Sequence, residues 1–402
     1  MPNNIASSPN PCSGCGACAV VCPAGAIGVN LDEDGFFTAA VDAEKCTDCG
    51  KCARVCLKFG AGEDTPKLES GTVYAARSRS ADTVRTCSSG GVAYELSKYA
   101  IIHNMTVAGV VYNYEKNIAE TVIADTVAGL DKLKGSKYLQ SDTVEAFSQL
   151  ISLAKTDRES RFLVFGTPCQ IYGFSKALES LKMRERFLLV DLFCHGVPSY
   201  LTWNSFLAGA KKKLGSEKIR SVNFRDKTVG WHNFVLTIKT QNRQLREPSD
   251  SNRFYNAFFD NILLSAACFD CEVRREVTQA DIRLGDLWGK KYQNTEEGIS
   301  AVLLMTVRGE RFFKAVDGIE VLERVDFGEC VSKQSVKKYG YMQLRKDAFA
   351  ELSQTGDLKR TIKNYRKKFP AKKRLKLAAK LAAAALPGPA RALVRRVYKN
   401  LG

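Results

Sequence analysis

The sequence predicts a small α+β head, an α/β domain built on a mixed sheet, and a basic helical tail. Three observations predict this order. Two runs of four cysteines occupy the first 60 residues, with two short apolar segments between them. Two apolar strands flank a helix between positions 162 and 193, which makes a β-α-β unit. The stretch 358–402 contains 15 Lys or Arg and no Asp or Glu.

The cysteine spacing in the head is typical of a protein that binds two iron–sulfur cubanes. Each run follows the pattern Cys-x2-Cys-x2-Cys-x3-Cys, in which three cysteines on a tight loop bind one cluster and the fourth reaches the other cluster. We therefore assign the first cluster to Cys12, Cys15, Cys18 and Cys56, and the second to Cys46, Cys49, Cys52 and Cys22. Two structural zinc sites are the alternative, although evenly spaced cysteine triplets fit zinc poorly.

The head resembles a bacterial-type ferredoxin that carries two 4Fe-4S clusters. One departure is Leu57, which stands where that motif would have a second proline. Between the two cysteine runs, Ile27–Leu31 and Gly35–Thr38 are predicted to be short strands joined by a turn. Residues 1–11 are predicted to be a flexible lead-in, and a linker at 60–71 separates the head, 1–60, from the main domain, 72–345.

Composition narrows the possible classes of protein. The net charge is +17, but the tail at 358–402 accounts for 15 of it, so the rest of the chain carries only +2. This distribution argues against a nucleic-acid-binding protein. Fourteen cysteines, eight of them in a cluster motif, argue against a disulfide scaffold and favour the reducing cytosol. No run of about 18 apolar residues occurs, so no spanning helix is expected.

Two stretches of the main domain could bind phosphate. Ser88, Ser89, Gly90 and Gly91 precede a predicted helix, Val92–Ile102, and free amides at a helix start attract anions. Further on, Lys134, Ser136, Lys137 and Tyr138 surround a Gly-Ser turn. Taken alone, the first stretch is more often a plain helix cap and the second a solvated loop.

Four cysteines of the main domain form a possible third site. Cys169 and Cys194 follow the two strands of the β-α-β unit, at the sheet edge where α/β proteins bind ligands. Cys268 and Cys271 form a separate Cys-x2-Cys pair. The alternative is two buried core thiols and a zinc knuckle, and spacing alone does not separate the two interpretations. Cys87 and Cys330 have no partner and are interpreted as structural, although Cys87 could lie against a cofactor.

Seven motifs occur in an order that resembles one family. They begin at Ser88, Gly135, Gly166, Cys194, Phe224, Cys268 and Asp281. Together they resemble the beta subunits of coenzyme F420-reducing hydrogenases and dehydrogenases, a family that includes flavin-dependent reductases. The resemblance covers roughly 72–330, and several members also share the ferredoxin head.

The resemblance implies an iron–sulfur flavoprotein with FAD on the α/β domain. Cys169, Cys194, Cys268 and Cys271 then become ligands of a third 4Fe-4S cluster. The two phosphate-binding stretches become contacts of FAD, and His195 becomes a candidate proton or hydrogen-bond donor, unless it only orders its loop. Arg225, Asp226, Asp281 and Asp286 could shape the flavin pocket or simply pair as buried ions.

The expected function is therefore electron transfer between 4Fe-4S clusters and a bound FAD. The acceptor, whether coenzyme F420, ferredoxin or another redox partner, is left open. A non-catalytic electron-transfer subunit and an accessory protein of surface-polysaccharide synthesis are the alternatives. Helices are predicted at 371–386 and 391–401 in the basic tail, and peripheral contact with a membrane or partner is slightly favoured there.

Overall fold

The head consists of two short helices and an antiparallel ribbon. The computed structural model describes residues 3–385, with side chains to residue 379. Helices α1 (Ala17–Val20) and α2 (Lys51–Arg54) each follow a glycine in the left-handed region, Gly16 and Gly50. Strand β1 (Ile27–Leu31) pairs antiparallel with β2 (Phe37–Val41). The sequence predicted β1 at these bounds and placed the start of β2 two residues too early.

The strands of the main domain form a large mixed sheet and a small antiparallel one. In chain order they are β3 (Thr72–Ser78), β4 (Met105–Asn113), β5 (Ile118–Ala124), β6 (Ser141–Asp142), β7 (Arg161–Phe165), β8 (Phe187–Leu192), β9 (Ser221–Asp226), β10 (Val235–Lys239), β11 (Gln244–Pro248), β12 (Ile282–Asp286), β13 (Ser300–Leu304) and β14 (Ile319–Val325). The nine-stranded sheet has the order β14-β3-β13-β12-β8-β7-β4-β5-β6, and the three-stranded sheet has the order β11-β10-β9. The predicted mixed sheet is confirmed: β12, β8, β7 and β4 are parallel neighbours, while β13, β3 and β14 add antiparallel strands.

Helices cover both faces of the nine-stranded sheet. In chain order the helices of the main domain and tail are α3 (Ala81–Thr86), α4 (Val92–Ile102), α5 (Val144–Thr156), α6 (Pro168–Ser180), α7 (Tyr200–Lys213), α8 (Arg253–Phe259), α9 (Glu272–Arg275), α10 (Val307–Lys314), α11 (Phe327–Val331), α12 (Arg345–Thr355), α13 (Leu358–Lys367) and α14 (Ala371–Ala385). Leu163 and Leu188 face the core under α4 and α10, whereas Phe162 and Phe187 face the core under α5 and α6. This alternation follows from the two-residue period of a strand.

The predicted β-α-β unit is confirmed in its topology. Strands β7 and β8 are parallel neighbours, with Phe162 opposite Phe187. Helix α6 begins with a capping box in which Thr167 and Gln170 satisfy each other's backbone amides, and Pro168 occupies its first turn. Because β7, α6 and β8 follow directly on one another, the segments after β7 and β8 meet at one edge of the sheet.

The head and the first part of the tail share a core with the main domain. Phe36 and Phe37 of the head pack in one apolar cluster with Trp203 and Phe254. Helix α13 contributes to the same cluster, and its buried residues include Leu358, Ile362 and Tyr365. The predicted helix at 371–386 corresponds to α14, and the helix predicted at 391–401 lies outside the described residues.

The start of the chain differs from the sequence prediction. The expectation of a flexible lead-in is wrong for the described residues 3–11, because Ile5 is only 4% exposed and Asn4 is buried. Asn4 Nδ2 donates to Asp48 Oδ1 at 3.2 Å, and Ser8 Oγ donates to the Lys58 carbonyl at 3.0 Å. The composition, rich in Asn, Pro and Ser, suggested mobility. Instead, the polar side chains form hydrogen bonds with the second cysteine run of the head and the residues after it. No helix in the described part of the chain is long and apolar enough to span a membrane.

Candidate redox site

The eight head cysteines lie around two separate cavities. One cavity is lined by Cys12, Cys15, Cys18 and Cys56, together with Ile5 and Lys58. A second cavity is lined by Cys22, Cys46, Cys49 and Cys52. These are the two groups of four that the spacing predicts, with the fourth cysteine of each run at the other run's cavity. We refer to them as thiol set 1 and thiol set 2.

Set 1 faces the main domain and set 2 reaches the surface. Cys15 and Cys18 in set 1 are buried, whereas Cys49 in set 2 is exposed. Asn4, which sequence reasoning missed, donates from Nδ2 to Cys46 Sγ at 3.6 Å. Hydrogen bonds of this kind to the sulfurs are among the factors that set cluster potentials. Nothing in the sequence marks Asn4, since it lies in a short polar stretch outside both cysteine motifs.

A close contact joins set 1 to the main domain. Gly173 lies one turn into α6, and a Cβ atom built on it would lie 2.9 Å from Cys15 Sγ and 2.8 Å from Ala17 Cβ. Glycine is therefore needed there for the head helix to approach α6. Thr143 Oγ1 also donates to the Cys15 carbonyl at 2.9 Å. Burial raises the pKa of the Cys15 thiol, and the charge of Cys169 is the next largest cause.

The four cysteines predicted as a third site come together at the sheet edge, and we call them thiol set 3. Cys169 lies in the first turn of α6, Cys194 follows β8, and Cys268 and Cys271 precede α9. Burial is the largest cause that raises the pKa of each thiol, to about 11 for Cys194 and about 12 for Cys268. For Cys169, the charges of the other three thiols raise the pKa further.

The donor chemistry of these sets fits iron–sulfur clusters. Each set offers four sulfur atoms, which are the usual ligands of a 4Fe-4S cluster. Among residues 3–385, no three His, Cys, Asp or Glu side chains are close enough together to bind a single metal ion. Two neighbours of set 3 already bond to sulfur: the Gly196 amide donates to Cys194 Sγ, and Thr167 Oγ1 lies 3.3 Å from Cys169 Sγ.

A large cavity of about 330 Å³ begins beside set 3. Cys194 lines it, and so do seven of the eight residues predicted to bind FAD: Ser88, Ser89, Gly91, Lys134, Ser136, Lys137 and Tyr138. The cavity lies at the carboxyl ends of β7 and β8 and at the start of α4. Leu192, the last residue of β8, is 40% exposed even though the rest of that strand is buried. An exposed leucine at the end of a central strand indicates space for an apolar ligand.

The Ser-Ser-Gly-Gly turn is fixed by the strands beneath it. The eighth predicted residue, Gly90, accepts a hydrogen bond from the Ser78 amide at 2.6 Å, and a Cβ on it would lie 2.8 Å from the Ala76 carbonyl oxygen. Gly91 has φ +84°, which favours glycine. The Ser136 amide donates to Ser88 Oγ at 2.7 Å, so the two predicted phosphate-binding stretches are joined.

Comparison with known families identifies the two parts of the chain. Residues 11–59 match the 4Fe-4S dicluster domain family. Residues 159–327 match the C terminus of the coenzyme F420 hydrogenase/dehydrogenase beta subunit. That match spans strands β7 to β14 of the main domain and includes all four cysteines of thiol set 3. The chain is therefore related to an electron-transfer oxidoreductase subunit, with a dicluster head at its start.

We also compared the chain with individual proteins. Among solved structures, the chain is similar to one from the F420-reducing NiFe hydrogenase complex of Methanosarcina barkeri. The two share 20% sequence identity with a TM-score of 0.43, over 75% of this chain and 94% of the other. No curated protein matches the sequence.

The two lysines of the main domain that were predicted to bind phosphate already have protein partners. Lys134 Nζ pairs with Asp131 at 2.8 Å and lies 4.1 Å from the centre of the Tyr94 ring. Lys137 Nζ donates to three backbone carbonyls at the end of the 3-10 turn at 128–133, and burial lowers its pKa to about 7. Lys137 therefore holds together the loop that lines the cavity.

Lys227 has a similar position under the Ser-Ser-Gly-Gly turn of the main domain. Its Nζ donates to the carbonyls of Val84, Ser89 and Glu297 at 2.6–2.7 Å. Lys227 belongs to the motif that begins at Phe224, but the sequence alone gave it no role. Its contact with Ser89 could not be predicted, because the two residues are 138 positions apart in the chain.

A buried network closes one side of the large cavity. Arg225 Nη1 donates to Asp286 Oδ2 at 2.7 Å and to the Tyr138 hydroxyl at 3.1 Å. Trp231 Nε1 donates to the other Asp286 oxygen at 3.0 Å. Tyr138 and Asp286 both line the cavity. Arg225 and Asp286 therefore form a buried ion pair, and Asp286 of this pair is also part of the cavity wall. Asp281 lies elsewhere and pairs with Arg184 and Arg308, and Asp226 pairs with Arg246.

His195 lies between set 3 and the cavity, but both of its ring nitrogens are engaged. Nε2 lies 2.8 Å from Asn261 Oδ1, and Nδ1 lies 2.7 Å from Ser335 Oγ. Burial lowers the pKa of His195 to about 4, so the ring is neutral at pH 7. A neutral ring can donate from Nε2 to the amide oxygen and accept at Nδ1 from the hydroxyl. This arrangement orders the loop after β8.

Proposed function

We propose that the protein is an iron–sulfur flavoprotein oxidoreductase. Sets 1, 2 and 3 would each bind a 4Fe-4S cluster, and the large cavity would bind FAD. The observation that carries this proposal is the unbroken succession from exposed Cys49 in set 2, through set 1, across the Gly173 contact to set 3, and then to the cavity at Cys194. FAD would supply the exchange between one-electron and two-electron chemistry.

The lining of the cavity supports FAD as the ligand. Its volume of about 330 Å³ lies within the roughly 300–1,000 Å³ range of small-molecule sites. Gly91 and the amides after it begin α4, where a pyrophosphate group finds free N–H donors and a positive dipole. Exposed Leu192 and half-buried Phe193 offer an apolar surface for a ring system. Ser88 and Ser136 supply hydroxyl groups beside these amides.

The position of set 2 supports an electron partner at the head. Cys49 is exposed, while set 3 and the cavity lie on the far side of set 1. A redox partner protein that docks near Cys49 would exchange electrons with the head, and a second acceptor would approach the flavin cavity. Coenzyme F420, ferredoxin and other acceptors are all compatible with this arrangement.

The first expected result concerns composition. Protein purified without oxygen should be brown and contain about twelve irons per chain, from three cubanes, together with one FAD released on denaturation. Iron analysis and chromatography of the released flavin would measure both. Colourless protein that contains zinc would contradict the proposal and favour the accessory role. Turnover with candidate acceptors would separate an enzyme from an electron-carrier subunit.

We also propose that the tail contacts an anionic membrane surface. Helix α14 begins with Lys372, Lys373, Arg374 and Lys376, and Leu375 among them is 74% exposed. Lys373 Nζ lies 3.6 Å from the centre of the Phe369 ring, which holds the start of α14 against the body. A cationic helix with exposed apolar side chains suits the surface of an acidic bilayer.

The second expected result tests this contact. Combining Lys372→Gln, Arg374→Gln and Lys376→Gln should weaken binding to phosphatidylglycerol vesicles by about 3 kcal/mol, since each basic residue contributes roughly 1 kcal/mol. Flotation with phosphatidylglycerol and phosphatidylcholine vesicles measures this loss. The matched control places the same changes at exposed Lys98, Lys155 and Lys333, where binding should be unchanged. Equal binding of the two triple variants would refute the contact.

A further inference from the structure

A buried guanidinium lies beside set 3. Arg274 is only 2% exposed and follows Cys271 on α9. Its Nη2 donates to the carbonyls of Cys268 at 3.2 Å and Lys337 at 2.9 Å, and its Nη1 donates to the Ser335 carbonyl. The guanidinium carbon lies 4.3 Å from the centre of the Tyr339 ring. All of these partners are uncharged.

Arg274 differs from the two arginines near it. Arg283 is fully buried but pairs with Asp191, whose two oxygens lie 2.6 Å from its nitrogens. Arg275 pairs with Asp270 and Glu276. Within the described part of the chain, the polar contacts of the Arg274 side chain are to carbonyls alone, and its buried Nε has no partner. A buried cation without a counter-charge is costly, so a negative group is expected beside it.

The unbalanced charge lies beside the cysteines of set 3. Arg274 is three residues after Cys271, and its Nη2 donates to the carbonyl of Cys268. In the described part of the head, the lysines beside the other two sets are more exposed than Arg274. Lys51 beside set 2 is exposed, and Lys58 beside set 1 is half-buried, so water screens both charges more strongly.

We propose that Arg274 is the counter-charge of the cluster in set 3 and raises its reduction potential above those of the head clusters. This inference rests on the proposed function. A 4Fe-4S cluster with four thiolates is anionic, and reduction adds one more negative charge. A fixed cation beside it stabilises the reduced form, and net charge is among the factors that set cluster potentials. Electrons that enter at the head would then collect at set 3, next to the cavity.

The test is a redox titration of the full chain, followed by electron paramagnetic resonance. Arg274→Gln removes the charge and keeps a hydrogen-bonding side chain. We expect the ratio of reduced to oxidised set 3 cluster at a fixed potential to fall about tenfold, a shift of about 59 mV for one electron. The head signals should not move. Arg274→Lys keeps the charge and should restore most of the potential.

Arg275→Gln is the matched control. Arg275 is the next residue on the same helix, but its charge is already balanced by two carboxylates that are more than half exposed. Its substitution should change the ratio less than twofold, against about tenfold for Arg274→Gln. A set 3 potential that is the same in Arg274→Gln and in the wild type would overturn the inference. Three cluster signals in the wild type test the proposed function separately from this shift.

A second pair of variants tests the inference if Arg274→Gln does not retain the cluster of set 3. Tyr339 lies under the guanidinium, so Tyr339→Glu would place a carboxylate beside an intact Arg274. We expect Tyr339→Glu to lower the reduction potential of the set 3 cluster. Tyr339→Gln introduces an uncharged side chain of the same shape as glutamate and should lower the potential much less. Equal potentials in this pair would also overturn the inference.

Discussion

Replacing Cys194 with alanine is expected to lower the iron content from about twelve to about eight per chain. Cys194 belongs to set 3, whose four ligands come from three separate loops, so the remaining three thiols would leave one corner of the cluster without its ligand. The two head clusters should remain, because none of their ligands lies near Cys194. Reduction of the flavin by electrons supplied to the head should stop, since the succession of centres is broken before the cavity. Iron analysis, paramagnetic resonance and stopped-flow reduction would measure these effects.

Cys330→Ala is the matched control. Cys330 is also buried, but it packs in an apolar cluster with Val73 and Trp231 and belongs to none of the three thiol sets. We expect all of the iron to remain, with a decrease in the free energy of unfolding of about 1 kcal/mol from the small cavity. A Cys194→Ala protein with a full iron complement would contradict the assignment of set 3. An equal loss of iron in both variants would mean that burial alone, and not ligation, explains the effect.

The cysteine groupings could be predicted because the information is local. In the head, the spacing of each run fixes which three thiols share a loop, and the crossing of the fourth ligand follows from the same motif. In the main domain, the apolar runs at 162–165 and 187–193 predicted parallel neighbours, and β7 and β8 are paired that way. That topology brings the segments after both strands to one edge, which is how Cys169 and Cys194 come together. The short Cys268–Cys271 pair had no such constraint, so its place in the group stayed open until the family resemblance favoured it.

The parts that could not be predicted depend on contacts across long stretches of chain. Gly173 is one of 30 glycines, and only its approach to Cys15, far away in the sequence, makes it special. Lys227 and Arg274 are likewise two of 60 basic residues, and nothing local indicates that both are surrounded by carbonyl groups. The phosphate-binding lysines illustrate the reverse case. Charge and loop composition suggested Lys134 and Lys137, but pattern cannot show that Asp131 and backbone carbonyls already bind them.

Replacing Gly90 with alanine is expected to weaken FAD binding by about 1–3 kcal/mol, the usual cost of overpacking, which is roughly 5- to 150-fold in affinity. The added methyl group would lie 2.8 Å from the Ala76 carbonyl oxygen and 2.9 Å from the Ser300 amide nitrogen. Both atoms belong to paired strands of the nine-stranded sheet, so the turn has to move instead. That movement displaces Ser89 and Gly91 from the cavity wall. The flavin-to-protein ratio after gel filtration, and titration of the stripped protein with FAD, would measure the loss.

Iron content distinguishes this effect from general unfolding. The turn at Gly90 contains none of the predicted cluster ligands, so all three clusters should remain in Gly90→Ala while flavin is lost. Gly209→Ala is the matched control, because a Cβ at Gly209 in α7 meets no atom within 4 Å, and both flavin and iron should be retained. Flavin binding at wild-type affinity in Gly90→Ala would show that the ligand does not rest on this turn. Since the turn and Cys194 line the same cavity, that result would also argue against a flavin bound next to set 3, which is where the proposed electron transfer ends.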